Sequence, residues 1–118
     1  MRVVEILTNL TVPDVDQVRA FYADFLGLSQ EEMNQGWVAR FTQPQSRVSV
    51  QVVTRDKTAP VDSVATLKVD DVDAAHAEAQ AAGIEIVHPL TTEEWGVRRF
   101  FVRAPDGNVF NIAQAHDG

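Results

Sequence analysis

The chain has 118 residues, 45% of them hydrophobic and 23% charged, with ten Lys+Arg against 17 Asp+Glu and a net charge of -7. That length makes one domain, 1–118, or two small halves sharing a core, and the acid surplus argues against a phosphate-backbone partner. Cysteine is absent, which excludes disulfides, thiolate nucleophiles and Cys-based zinc sites, and no apolar run approaches the roughly 18 residues of a membrane span.

In chain order, "MRVVEILTNLTV" reads as a strand and not a signal sequence, so a cytoplasmic protein with no membrane partner is expected. "PDVDQVRAFYADFLGL" reads as a helix. Val15, Val18, Phe21, Tyr22, Phe25 and Leu26 recur at helical spacing, Asp14 and Gln17 make an N-terminal capping pattern, and Gly27 supplies the stop. Strand-like segments follow at about 28–34, 37–42 and 48–54. The polar stretch "RDKTAPVD" contains the linker, 57–62.

Then the pattern repeats. "LKVDDVDAAHAEAQAAGI" matches "LTVPDVDQVRAFYADFLGL": Leu67 answers Leu10, Val69 answers Val12, and Asp71-Val72-Asp73 answers Asp14-Val15-Asp16 at one constant offset. The second helix has Asp71 as cap, Val72, Ala75, Ala79 and Ala82 inward, and Gly83 as stop. Strands at about 84–87, 97–103 and 109–114 complete it. The last is entered through the Pro105-Asp106-Gly107-Asn108 turn, and its alternation sets Phe110 and Ile112 on one face and Val109, Asn111 and Ala113 on the other. Each half, 1–56 and 63–118, is therefore strand-helix-strand-strand-strand. The expected class is α+β: two tandem βαβββ modules forming a curved, mainly antiparallel sheet around a cavity. The sheet face without helices must enclose that cavity or be covered by a second chain, so a homodimer is expected.

This duplicated module resembles the vicinal oxygen chelate superfamily of glyoxalases, extradiol dioxygenases and fosfomycin- and bleomycin-type resistance proteins. "VPDVDQVRAFYADFLGL", "VDDVDAAHAEAQAAGIEI" and "WGVRRFFVRAPDGNVFNIAQ" are similar to its recurring segments, in order, over nearly the whole chain. Ala104 departs from the Asp that usually precedes Pro-Asp-Gly. The resemblance implies that metal-dependent members hold one divalent cation with His, Gln or Glu from both modules. The matching positions here are Leu7, Gln51, Val64 and Asn111, two aliphatic chains and two neutral amides. No metal and no cofactor are expected on that set.

Other chemistry is sparse. His76, His88 and His116 are scattered and read as solvated or edge residues, with His88 nearest the expected cavity rim. Glu93-Glu94-Trp95-Gly96 reads as a solvated loop start, and "VRRFFVR" as a strand whose arginines pair with surplus acids. No catalytic residue is assigned. Trp37 and Trp95 stand at strand entries and, with Phe101 or Phe100 according to strand phase, suit an aromatic wall. The ligand-lining set is Leu7, Trp37, Gln51, Val64, Trp95, Phe101 and Asn111. The expected function is metal-independent binding or sequestration of a small molecule, cationic or aromatic, close to the bleomycin-resistance branch. The alternatives are a metal-free lyase or isomerase using Glu94 or His88, and a partner-binding domain.

Overall fold

The computed structural model describes residues 1–115. The fold is α+β, and the described residues form eight strands in mainly antiparallel sheet, two α-helices and a π-helical segment. The chain divides into two compact units, Leu7–Lys57 and Met1–Ile6 together with the chain from Thr58 onward.

The first unit takes in most of β1 (Val3–Thr11), then α1 (Val15–Arg19), a π-helical segment (Ala20–Phe25), β2 (Gln30–Asn34), β3 (Val38–Thr42) and β4 (Ser49–Val53). Its strand order is β2-β3-β4-β1. Neighbours run antiparallel except β4 and β1, which are parallel with Asn9 opposite Gln51. Asp14 starts the helix as expected, its Oδ1 accepting from the backbone N–H groups of Asp16 at 2.7 Å and Gln17 at 3.2 Å. Val15, Ala39, Phe41 and Val52 form the core, and Tyr22 stacks on Phe41 with centroids 6.1 Å apart. Burying a side chain such as Phe41 contributes roughly 1.5–3 kcal/mol.

The helix departs from its expected face at its second half. The Leu26 amide bonds the Phe21 carbonyl and the Leu28 amide that of Tyr22, both at 3.0 Å, so the backbone is wound more loosely than an α-helix. Residues at α-helical spacing then no longer share a stripe. Phe21, Phe25 and Leu26 turn outward, Phe25 to 77% exposure, while Val18 and Tyr22 stay against the core.

The second unit holds β5 (Ala65–Val69), α2 (Val72–Ala81), β6 (Glu85–Glu93), β7 (Val97–Arg103) and β8 (Val109–Ala115), in the order β5-β8-β7-β6. Again the strand before the helix pairs in parallel, here with β8. Asp71 caps α2 by accepting from the Ala74 amide at 3.0 Å, and Gln114 Oε1 takes the Val72 amide at 2.8 Å. Ala75 and Ala79 let α2 settle on Phe100, Val102 and Ile112. The turn into β8 closes with Gly107 N–H on the Ala104 carbonyl at 2.9 Å, and Gly107 takes the φ of 92° that a side chain would resist. Since Phe100 and Ile112 face the helix, strand alternation sends Arg99, Phe101 and Asn111 to the opposite face.

Candidate functional site

In the second unit that opposite face carries a cross-strand row. Thr66 on β5 pairs with Asn111 on β8, Asn111 with Phe101 on β7, and Phe101 with His88 on β6. Asn111 is 6% exposed. Its Nδ2 donates to Thr66 Oγ1 at 3.2 Å, and its buried Oδ1 has no hydrogen-bond partner among the described residues. Leaving such an acceptor unfilled costs about 1–3 kcal/mol.

Beside the row lies a buried ionic cluster. Arg99, 1% exposed, donates through Nη2 to Glu93 Oε2 at 3.0 Å and to Thr58 Oγ1 at 2.6 Å. Its guanidinium carbon stands 5.0 Å from the Trp95 ring centroid and 4.9 Å from that of Phe101, within cation–π range. His88 meets the Phe101 ring edge-on at 5.2 Å, with Nε2 3.8 Å from Glu93 Oε1. Charges this deep persist only when paired, and here the Glu93 carboxylate meets the Arg99 guanidinium.

The first unit repeats the row with different side chains: Asn9 on β1, Gln51 on β4, Arg40 on β3 and, beside it, Met33 on β2. Gln51 Nε2 donates to Asn9 Oδ1 at 2.9 Å, and Gln51 Oε1 accepts from Arg40 Nη2 at 3.4 Å.

The expected lining residues fall unevenly on this frame. Asn111 and Phe101 share the second row, Trp95 stands beside it over Arg99, and Gln51 lies in the first row. Phe101, not Phe100, takes the helix-free face, because Phe100 is packed with His76 at 4.9 Å and with the α2 core. Leu7 is buried at 1% exposure and Trp37 half-buried, its carbonyl accepting from Thr54. Val64 is 49% exposed just before β5. The register sets Asn9 and Thr66, not Leu7 and Val64, opposite the two amides.

Two further expectations are revised. His88 is buried and not solvated, although it stands on β6, the outer strand of its unit, opposite Phe101. Glu93 is buried and Glu94 exposed, so the acidic pair splits where β6 ends. The arginines of β7 pair with acids as expected, Arg98 and Arg103 at the surface with Asp73 and Glu85, and Arg99 with Glu93 as the most deeply placed charge of the cluster. Strand alternation in "VRRFFVR" puts Arg99 and Phe101 on one face, the signal that could have found it. His76 sits against the core, and His116 lies outside the described residues. A cavity of about 320 Å³ opens on the helix side of the second unit, among Leu67, Ala79, Ala82, Ile84 and Ile112, and holds none of these residues.

The family model of the glyoxalase/bleomycin resistance protein/dioxygenase superfamily matches residues 3–112. The chain belongs to this superfamily. Among solved structures it is similar to a superfamily member from Vibrio splendidus 12B01, with 20% identity over 93% of this chain and 97% of that one and a TM-score of 0.69. It is similar to a methylmalonyl-CoA epimerase from Mycobacterium tuberculosis, with 21% identity over 98% and 90% and a TM-score of 0.72. It also matches a Mn(II)-bound glyoxalase from Novosphingobium aromaticivorans, with 28% identity over 99% of this chain but 42% of that one and a TM-score of 0.61. No curated protein sequence matches it. These likenesses carry the superfamily fold, which hosts unrelated activities. The donors that face each other across the paired strands, Asn9 with Gln51 and Thr66 with Asn111, are amides and a hydroxyl. They supply no charge to a divalent cation, and no three His, Cys, Asp or Glu side chains converge on one point among the described residues. The superfamily's metal does not fit this donor set.

No helix among the described residues is long and apolar enough to cross a membrane.

Proposed function

We propose that this chain is a metal-independent small-molecule-binding protein, acting by sequestration, whose ligand is held by neutral hydrogen-bonding side chains. The observation that carries this reading is Asn111: a buried amide, anchored through Nδ2 to Thr66, with Oδ1 left open. An open acceptor on a face lined by Phe101 favours a flat molecule that brings an N–H or O–H donor. Sequestration asks for affinity and no transition-state stabilisation, so a neutral donor set serves it fully. The aromatic part of the expected ligand is retained. Its cationic part loses support, because the Trp95 and Phe101 rings already carry the guanidinium of Arg99.

A thermal-shift screen of planar, donor-bearing metabolites and antibiotics tests the reading through ligand linkage. Hits should raise the melting temperature, and Asn111→Leu should abolish the shift while leaving the free protein folded. Tight stoichiometric Ni, Zn, Mn or Fe in elemental analysis, lost on Asn111→Leu, would replace it with metal chemistry. A homodimer belongs to the same proposal, since Ile6 and Phe25 remain 65% and 77% exposed; sedimentation should show two copies.

One observation favours a second reading. A buried imidazole, His88, stands 3.8 Å from a buried carboxylate, Glu93, and these are residue types that proton-transfer enzymes use. Turnover of a bound ligand that disappears in His88→Asn, with binding retained, would establish catalysis over sequestration.

A further inference from the structure

The first unit contains a cation, Arg40, that forms no ion pair among the described residues. Arg40 is half-buried on β3, on the face opposite the α1 core to which Ala39 and Phe41 belong. Its one hydrogen bond is the 3.4 Å contact from Nη2 to the neutral Gln51 carbonyl, at the weak end of the range. Its Nε is buried and has no partner among the described residues. The other arginines behave differently. Arg19, Arg47, Arg98, Arg99 and Arg103 each meet a carboxylate within 4 Å, and Arg2 and Arg55 are exposed to solvent. Glu32, a carboxylate that feels the charge of Arg40, is taken up by the Thr42 hydroxyl and by Arg47 at 2.8 Å, which hold it below the usual carboxylate range.

A guanidinium drawn partly out of water is costly unless an anion meets it. In a chain with 17 acidic residues, a partner for Arg40 was one substitution away at Gln51, which instead presents an amide and is itself tied to Asn9 at 2.9 Å. The Nε–Nη edge of an arginine offers two parallel donors matched to two oxygens of a carboxylate or phosphate. We propose that Arg40, with Gln51 beside it, is an anion anchor on the first unit, and that a small molecule held there carries a carboxylate or phosphate group. This goes beyond the ligand-binding reading above, and the charge it names is opposite in sign to the one the chain's acidity favours.

Four probes of one shape separate the possibilities: benzoate, phenyl phosphate, benzamide and benzamidine, titrated at fixed ionic strength. Benzoate or phenyl phosphate should raise the melting temperature and move the Arg40 Nε–Hε resonance, and whichever binds more tightly identifies the oxyanion. Benzamide and benzamidine should do neither. Arg40→Met should weaken the anionic probe about tenfold or more, the cost of a lost charge-assisted bond pair. Arg40→Lys should restore part of it. Without probe, Arg40→Met should melt no lower than the native chain, since it removes an unsatisfied buried group, and this separates loss of the anchor from loss of the fold. Benzamide binding as tightly as benzoate, or Arg40→Met binding benzoate unchanged, would overturn the anchor while leaving ligand binding intact. Failure of all four probes would also overturn it, and a blank in the wider metabolite screen would remove ligand binding as well.

Discussion

The two units place the same backbone under opposite electrostatic arrangements. In the second, the row Thr66–Asn111–Phe101–His88 is flanked by Arg99, whose charge is answered by Glu93 within the unit. In the first, the row Asn9–Gln51–Arg40 ends on a guanidinium answered by an amide carbonyl. The register of a duplicated module is thus conserved between its two copies while the charge compensation is not. The lesson is that fold and the chemistry of the helix-free face are carried by different residues: helix caps and apolar alternation set the first, and a few buried polar positions set the second.

Substitutions can break or sharpen this contrast. The largest effect should come from Glu93→Ala, which takes the Glu93 carboxylate from buried Arg99 and should cost on the order of 3 kcal/mol in urea denaturation. A loss below about 1 kcal/mol would show that the second unit is not electrostatically closed by Glu93. Asn111→Asp should cost about 2 kcal/mol at neutral pH, because it buries a carboxylate without a cation on its row, and the loss should shrink in acid as the new group protonates. Gln51→Glu should do the reverse. Placed against Arg40, the new carboxylate should stabilise the chain by about 1 kcal/mol and abolish binding of anionic probes. If both carboxylates acted alike, the contrast between the units would be gone.

The smallest effect concerns the exposed pair of Arg19 and Glu31, joined at 2.7 Å. Hydrogen bonding from Arg19 holds the Glu31 carboxyl below its ordinary value of 4.5. The pair's contribution is therefore complete above about that pH, falls as pH drops through the depressed folded value, and is gone below it. Arg19→Met should lower the melting temperature slightly at pH 7 and not at all near pH 2, because surface pairs are well screened. A gap that widened in acid would reverse the assigned sign.

Much of this was legible in the sequence. The repeat announced the two modules, Asp14 and Asp71 the helix starts, and the parity of Phe110 and Ile112 the inward place of Asn111. The opposing positions on the first strands were not, because periodicity fixes which face a residue occupies and not its register against a parallel neighbour. Leu7 and Asn9 share a face, and strand pairing alone chooses Asn9 as the partner of Gln51. The repeat does align Asn9 with Thr66 at the offset that joins Leu10 to Leu67. The π-helical winding had no local signature, since Phe21, Phe25 and Leu26 fit an α-helical stripe perfectly well. Arg40 looked ordinary because an unmet charge is a property of surroundings that sequence does not list.

Each unit also contains one tryptophan, Trp37 in the first and Trp95 in the second. The chain therefore carries two natural fluorophores, one per repeat, and a cation rests against the indole of the second. Trp37→Phe and Trp95→Phe yield a pair of single-reporter proteins in which emission follows one repeat at a time. Overlapping unfolding curves would mark one cooperative transition, and separated curves would mean that each repeat melts on its own schedule.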